Sequence, residues 1–319
     1  MSLLVTGSIG IDTVEAPAGK VENTLGGSSI YFAYAASFFS PVRLVGVVGE
    51  DCPEDFLAPL HANERIDMSG LEIRKGSKTF RWHGRYHDDV NNRDTVGVEL
   101  NVLAERGATI PPKFRDSKYA FLANTHPALQ MQMLDELQSP KMVVADTMDL
   151  WIRSERQTLM ELIKRLDGLV LNDGEAKMLT GESNVVAAGL ELMTHVRTFV
   201  VIKKGEHGSL LFTEGKVCAV PSYPTFCVID PTGAGDSFAG AMMGYIASQD
   251  PFGHPGTGTD SADEIGLSPR FSATLRRAIA YGTVTASIGI EGFSLSKFFA
   301  TNRAQIDKRM AEFEELVRF

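Results

Sequence analysis

Short apolar, β-branched runs alternate with stretches of helical period along most of the chain. The segments LLVTGS, VRLVGVVG, YAFLAN, KMVVAD, DGLVLN and TFVVIK have the length and near-continuous hydrophobicity of strands buried on both faces. Between them, IYFAYAASFF, ALQMQMLDELQ, RSERQTLMELIKRL and NVVAAGLELMTHV repeat their apolar positions at helical spacing. This alternation predicts an α/β protein with a mostly parallel sheet covered on both faces. Ligands of such sheets bind outside the carboxyl ends of the strands. The polar residues that close strands, Asn124, Asp146, Asn172 and Lys203, are therefore candidates for contact with a ligand.

Residues 69–103 break the pattern, alternating apolar and polar positions with no helix between, and predict antiparallel strands. Together with IDTVEAPAGKVEN, which follows the first strand, they make a small second sheet: a lid, an oligomer interface, or a decorative hairpin. The segment 250–269, rich in Gly, Pro, Ser and Asp, reads as a mobile loop joining two helices. LRRAIAYGTVTASIGIEGF and NRAQIDKRMAEFEELV predict closing helices, and no internal repeat is present. The expected organisation is one domain over 1–319, with lid segments at about 11–23 and 69–103.

Composition narrows the function classes. With 319 residues, 44% apolar and 22% charged, the chain can bury a full core. A net charge of −9 argues against a nucleic-acid or acidic-membrane partner, while leaving room for a small anion in a local site. Cys52, Cys218 and Cys227 show no CxxC spacing, and their odd number suits a reducing cytosol. The opening MSLLVTGSIG lacks the features of a signal peptide, and no apolar run reaches the ~18 residues of a membrane span. A soluble, cytoplasmic protein is expected.

The chemistry concentrates in DPTGAGDSFAGAMMGYI, residues 230–246. Gly233, Ala234 and Gly235 form a turn of small residues ahead of a long apolar helix, where consecutive backbone N–H groups make an anion site. Asp236 follows at once. A first-turn acid placed for the helix dipole explains the aspartate but not the turn. A carboxylate that takes a proton from an attacking hydroxyl, beside amides that hold phosphoryl oxygens, explains both. In NDGEAKMLTG, Asn172 and Glu175 have capping-box spacing, and Glu175 could also hold Mg²⁺ through water beside nucleotide phosphates. VVIKKGEHGSLLF reads as strand, turn, strand: Gly205 and Gly208 permit close backbone approach and Lys203 and Lys204 could meet phosphate, or this is an ordinary hairpin with surface lysines. Gly26 and Gly27 precede a helix and could let a substrate hydroxyl reach the backbone, or simply start that helix. Neither G-x-x-x-x-G-K-[ST] nor a G-x-G-x-x-G after the first strand occurs, which excludes a P-loop enzyme and removes the support for a nicotinamide-dependent oxidoreductase.

Taken in order, Asp12 after GSIGI, the Gly pair at 26–27, N-x-x-E at 172–175 and DPTGAGD at 230–236 resemble the ribokinase-like family of carbohydrate and nucleoside kinases, also called the PfkB family. The resemblance runs across nearly the whole chain. It implies a three-layer αβα body with a β lid that transfers the γ-phosphoryl group of ATP to an alcohol of a sugar or nucleoside. On that resemblance Asp236 is the base, and Gly233, Ala234 and Gly235 form the anion hole. Asn172 and Glu175 organise Mg²⁺ and the phosphates, and Asp12, Gly26 and Gly27 meet substrate hydroxyls. Asp230 and the carbonyl of Thr232 match a K⁺ position found in many relatives. The nucleotide base lies near Gly205, Gly208 and the Ala280–Gly282 stretch. Where relatives commonly carry Asn to grip sugar hydroxyls, this chain has Tyr31, which offers one hydrogen bond and more apolar area. Phe80, Trp82, Arg85, Tyr86 and Arg93 make the lid aromatic and basic: Trp82 could stack on a nucleobase, Arg85 and Arg93 could meet a phosphate already on the substrate, or all could simply be the packing face of a lid or homodimer. The competing expectation is a non-catalytic nucleotide- or sugar-binding regulator on the same fold.

Overall fold

The protein is described from a computed structural model covering residues 2–91, 93–252 and 268–318. Most of the 250–269 loop lies outside the described residues. The strands are β1 (Leu3–Thr6), β2 (Gly10–Ala16), β3 (Gly19–Gly26), β4 (Val42–Gly49), β5 (Ile66–Arg74), β6 (Phe80–Tyr86) and β7 (Arg93–Glu99). They continue with β8 (Tyr119–Leu122), β9 (Met142–Asp146), β10 (Gly168–Asn172), β11 (Phe199–Lys203), β12 (Ser209–Thr213) and β13 (Lys216–Val220).

Among the described residues one sheet has nine strands in the order β13-β12-β11-β10-β9-β8-β1-β4-β5. It is parallel from β5 to β11, and β12 and β13 run antiparallel at one edge. Strand alternation divides the core in two. Leu3, Val5, Val144, Val170 and Val201 face the helices Ser28–Ser37, Ala234–Gln249 and Pro269–Gly289, while Leu4, Val143, Leu169 and Val200 face the helices between β8 and β11. The chain reverses its direction of growth between β1 and β8, the place where open α/β sheets gather ligands.

A second sheet of four strands, β3-β2-β6-β7, stands apart from the first. It matches the expected lid in position, with two corrections. Residues 69–74 belong to β5, which pairs in parallel with β4 in the large sheet. The lid is also not wholly antiparallel, because β2 and β6 run parallel. An edge strand of either sheet shows the same period-2 pattern, so periodicity could not assign β5.

Two helices on one face touch backbone to backbone. A Cβ on Gly240 would lie 2.3 Å from the Phe32 carbonyl oxygen, and one on Gly244 would lie 2.7 Å from that of Ala36. Glycine in a helix interior costs about 0.5–1 kcal/mol relative to alanine, so only this close approach justifies it. Gly240→Ala therefore tests which effect is larger. Overpacking, worth about 1–3 kcal/mol, outweighs the gain in helix propensity, and the variant should be less stable in urea denaturation. An increase in stability would mean that the helices part without strain.

Candidate active site

The helix Ala234–Gln249 begins at the Gly-rich turn, and its start is fixed from two sides. Asp230 is buried, and its carboxylate accepts the Thr232 N–H (2.9 Å) and the Ser294 N–H (3.1 Å). Gly233 has φ 73°, and a Cβ there would sit 2.3 Å from the ring of Tyr31. Both facts require glycine: the backbone is left-handed, and an aromatic ring fills the space a side chain would need. Tyr31 is buried, its ring is the seat of the turn, and its hydroxyl is left without a partner.

No side chain caps this helix, and Asp236 occupies its first turn. Of the three amides expected to form the anion hole, that of Ala234 is turned back onto the Pro231 carbonyl (3.1 Å). Burial raises the Asp236 carboxyl to about 6, against the fields of Lys203 and Arg93, which favour its charged form. A carboxylate with that affinity for protons is matched to general-base work near neutral pH.

Three strand ends point at this spot. Asp146, Asn172 and Lys203 each lie two residues beyond a core side chain that faces the same helices, Val144, Val170 and Val201 respectively. Asn172 and Lys203 are paired in register. The Lys203 Nζ stands 2.5 Å from where a Cβ on Gly235 would be. Asn172 caps the helix Asp173–Thr180 by accepting the Glu175 N–H (2.7 Å), and the Glu175 carboxylate accepts the Asn172 N–H (2.7 Å), so the capping box is complete. Sequence reasoning marked Asp146 only as a strand end. It is 5% exposed, its Oδ1 has no partner, and burial and then Asp236 hold its carboxyl well above the usual range.

From the lid, Asp12 enters the same region. Its carboxylate occupies the space left by Gly26, where a Cβ would approach Oδ2 to 1.9 Å. Asp12 is 3% exposed and its Oδ1 has no partner, so a hydroxyl donor would satisfy it. Burial, then Asp230 and Asp236, raise its carboxyl to about 8. Gly27, at φ 105°, has room for no Cβ against the Ser8 carbonyl. The Thr232 hydroxyl donates to the Tyr86 hydroxyl (3.2 Å), which ties lid to turn, and the field of Arg93 reaches Glu175 and Asp236. Arg93, which the sequence offered as a partner for a phosphate on the substrate, has its guanidinium over the Trp82 ring at 5.5 Å.

Two expected contacts sit elsewhere. Gly282 is buried, where a Cβ would lie 2.8 Å from the Phe238 carbonyl, so it serves helix contact and not a nucleotide. Gly205 and Gly208 do form an exposed-to-half-buried turn with positive φ, but Asn91 of the lid reaches over it and donates to Glu206 (3.3 Å). Among the described residues no group of three or more His, Cys, Asp or Glu could hold a metal ion. An Mg²⁺ carried on phosphates needs only one carboxylate acting through water, and Glu175, half-buried with one oxygen on the Asn172 N–H, is a residue that could serve. For K⁺ the contacts add nothing: both Asp230 oxygens already accept backbone N–H groups.

The sequence pattern of the pfkB family carbohydrate kinases matches residues 115–298. A cytidine kinase of Thermococcus kodakarensis is 31% identical over 252 residues, 77% of this chain and 88% of that protein. Among solved structures, a nucleoside kinase of Burkholderia thailandensis in complex with inosine superimposes with a TM-score of 0.73 at 21% identity, covering 99% of both chains. A putative ribokinase II from E. coli in complex with ATP and Mg²⁺ gives 0.72 at 15% identity, covering 98% of this chain and 99% of its own. The fold and site define a phosphotransferase with an alcohol as acceptor. The chain belongs to the pfkB family of carbohydrate kinases.

The raised carboxyl of Asp12 has a consequence for stability. Between its ordinary value of 3.8 and about 8 the folded state holds this proton more tightly than the unfolded state, so stability falls as pH rises through that window. Asp12→Asn should remove the loss. Urea midpoints should coincide with wild type near pH 4 and exceed it progressively up to about pH 8. A difference that is constant with pH would assign the effect to packing instead.

Proposed function

We propose that this protein is an ATP-dependent nucleoside kinase. One observation carries the choice of acceptor. Trp82 on β6 pairs in register with Asp12 on β2, so an aromatic ring and the buried carboxylate share one face of the lid sheet. Asp12 is suited to ribose hydroxyls and Trp82 to the flat face of a base, with stacking worth about 1–3 kcal/mol. The ring rests on Gly84, where a Cβ would lie 2.0 Å from it, and this holds the indole flat. The similarity to a cytidine kinase supports the same reading.

In the transfer, a hydroxyl of the nucleoside gives its proton to Asp236 and its oxygen bonds to the γ-phosphorus. The bond from that phosphorus to the ADP oxygen breaks in line. The Gly233 and Gly235 amides, which unlike that of Ala234 are not turned back onto Pro231, hold the phosphoryl oxygens. Glu175 would hold Mg²⁺ through water, and the ion would supply neutralisation of charge on the phosphates. The lid, tied to the turn through Tyr86 and Thr232, keeps water from competing with the acceptor.

We assign self-association to the outer lid strand β7, whose Val96 and Val98 are 46% and 51% exposed. Light scattering should give a dimer for wild type and a monomer for Val98→Lys; a monomeric wild type removes this part of the reading. No helix of the described residues is long and apolar enough to cross a membrane, and the free thiols of Cys52, Cys218 and Cys227 fit a cytoplasmic setting.

The main test is ADP release from ATP and Mg²⁺ over nucleosides and the matching free sugars. Nucleosides should be preferred, with kcat falling on the acid side of about pH 6 as Asp236 takes up its proton. Asp236→Asn should bind nucleoside normally and lose about 10²–10⁴-fold in kcat. Equal turnover of free sugars refutes the nucleoside reading, and an active Asp236→Asn refutes the base.

A further inference from the structure

Lys203 remains without a role that its surroundings explain. It closes β11 on the face that carries Asp146 and Asn172, two residues beyond the core side chain Val201. Its Nζ lies against Gly235, in the turn that starts the Asp236 helix. Among the described residues it forms no close ion pair and no side-chain hydrogen bond. Yet its field reaches Asp236, Asp146 and Glu175. A half-buried ammonium among three carboxylates, bonded to none, retains all its donors for another anion. The neighbouring helix N-terminus favours an anion at the same place. The unpartnered Oδ1 of buried Asp146 is a second sign that the space is completed by a ligand and its hydration.

We propose that Lys203 is a catalytic residue whose ammonium neutralises charge on the γ-phosphoryl oxygens during transfer. The inference rests on the kinase reading above. As the acceptor oxygen bonds to phosphorus and the bond to ADP breaks, negative charge spreads over the transferring oxygens, and a fixed cation beside Gly235 stabilises that distribution without moving. The same cation acts on the base. Asp236 is faced by Lys203 from β11, Arg93 from β7, Asp146 from β9 and Asp12 from β2, and Lys203 gives the largest push toward its charged form. A lysine placed only to offset the carboxylates for folding would affect stability and leave turnover alone.

The experiment compares wild type, Lys203→Met and Lys203→Arg in kcat, in KM for ATP and acceptor, in the pH profile of kcat and in melting temperature. Lys203→Met should lose about 10²–10³-fold in kcat. Its KM for the acceptor should stay within about threefold. Its acid limb should move above the wild-type position, because Asp236 has lost a cation. Lys203→Arg should keep the limb in place and recover part of the rate. A kcat for Lys203→Met within about threefold of wild type, a loss confined to KM for ATP, or an unmoved acid limb overturns the assignment. Should Lys203→Met fail to fold, Lys203→Gln carries the same readouts. A wild type silent on every acceptor defeats the kinase reading and this inference with it. An active wild type beside an equally active Lys203→Met defeats the inference alone.

Discussion

The position of Asp236 depends on one contact, the close approach of the helices Ser28–Ser37 and Ala234–Gln249. It is made at Gly233 against the Tyr31 ring, at Gly240 against the Phe32 carbonyl and at Gly244 against the Ala36 carbonyl. Because three glycines set it, the second helix cannot rotate or slide without a clash at several points together. The first helix also begins at Gly27, one residue after the glycine that makes room for Asp12. The acceptor side and the base are thus braced on the same pair of backbones, and any movement of one is imposed on the other.

That brace holds charges that repel. Asp12 and Asp146 are buried with an unpartnered oxygen each, and Asp230, Asp236 and Glu175 all have carboxyls raised first by burial. Acids gathered in this number, three of them buried and two half-buried, weaken the folded state, a cost that the proposed ligands would offset. Backbone amides do part of that service for Asp230, which is why it fixes the turn. Asp12 and Asp146 receive less, and the unmet hydrogen-bonding capacity lies where a polyhydroxyl acceptor and a nucleotide phosphate would meet.

Much of this was legible in the sequence where local pattern and tertiary role coincide. The strand–helix alternation defined the parallel sheet, and DPTGAGD combined a turn, a helix start and a carboxylate in seven residues. The N-x-x-E spacing required a capping box whatever else Glu175 does. Legibility failed where one local pattern serves two tertiary ends. Residues 69–74 alternate like a lid strand and lie in the large sheet. Gly282 could have admitted a ligand or a helix, and admits a helix. At Tyr31 the sequence suggested only a polar contact, and the structure adds a second duty, since its ring also fills the space beside Gly233. Asp146 closes its strand like many acids, and only the convergence of β9, β10 and β11 on one helix end gives it consequence.

The two cations near the base come from different parts of the fold, and this separates their duties. Lys203 is the last residue of a central strand, held by neighbours on both sides. Arg93 opens the outermost lid strand, which pairs on one side only, and it lies over Trp82, the ring next to Asp12. A cation on the rigid sheet acts on the phosphoryl group at a fixed point, as preorganised electrostatic stabilisation requires. A cation on the lid acts at full strength only when the lid is seated, through Tyr86 on Thr232 and Asn91 on Glu206. The field that favours ionised Asp236 therefore has a constant part from the sheet and a conditional part from the lid. On the nucleoside-kinase reading, an acceptor that fits between Trp82 and Asp12 without disturbing that seating would keep both parts, making acceptor fit a determinant of turnover as well as of binding.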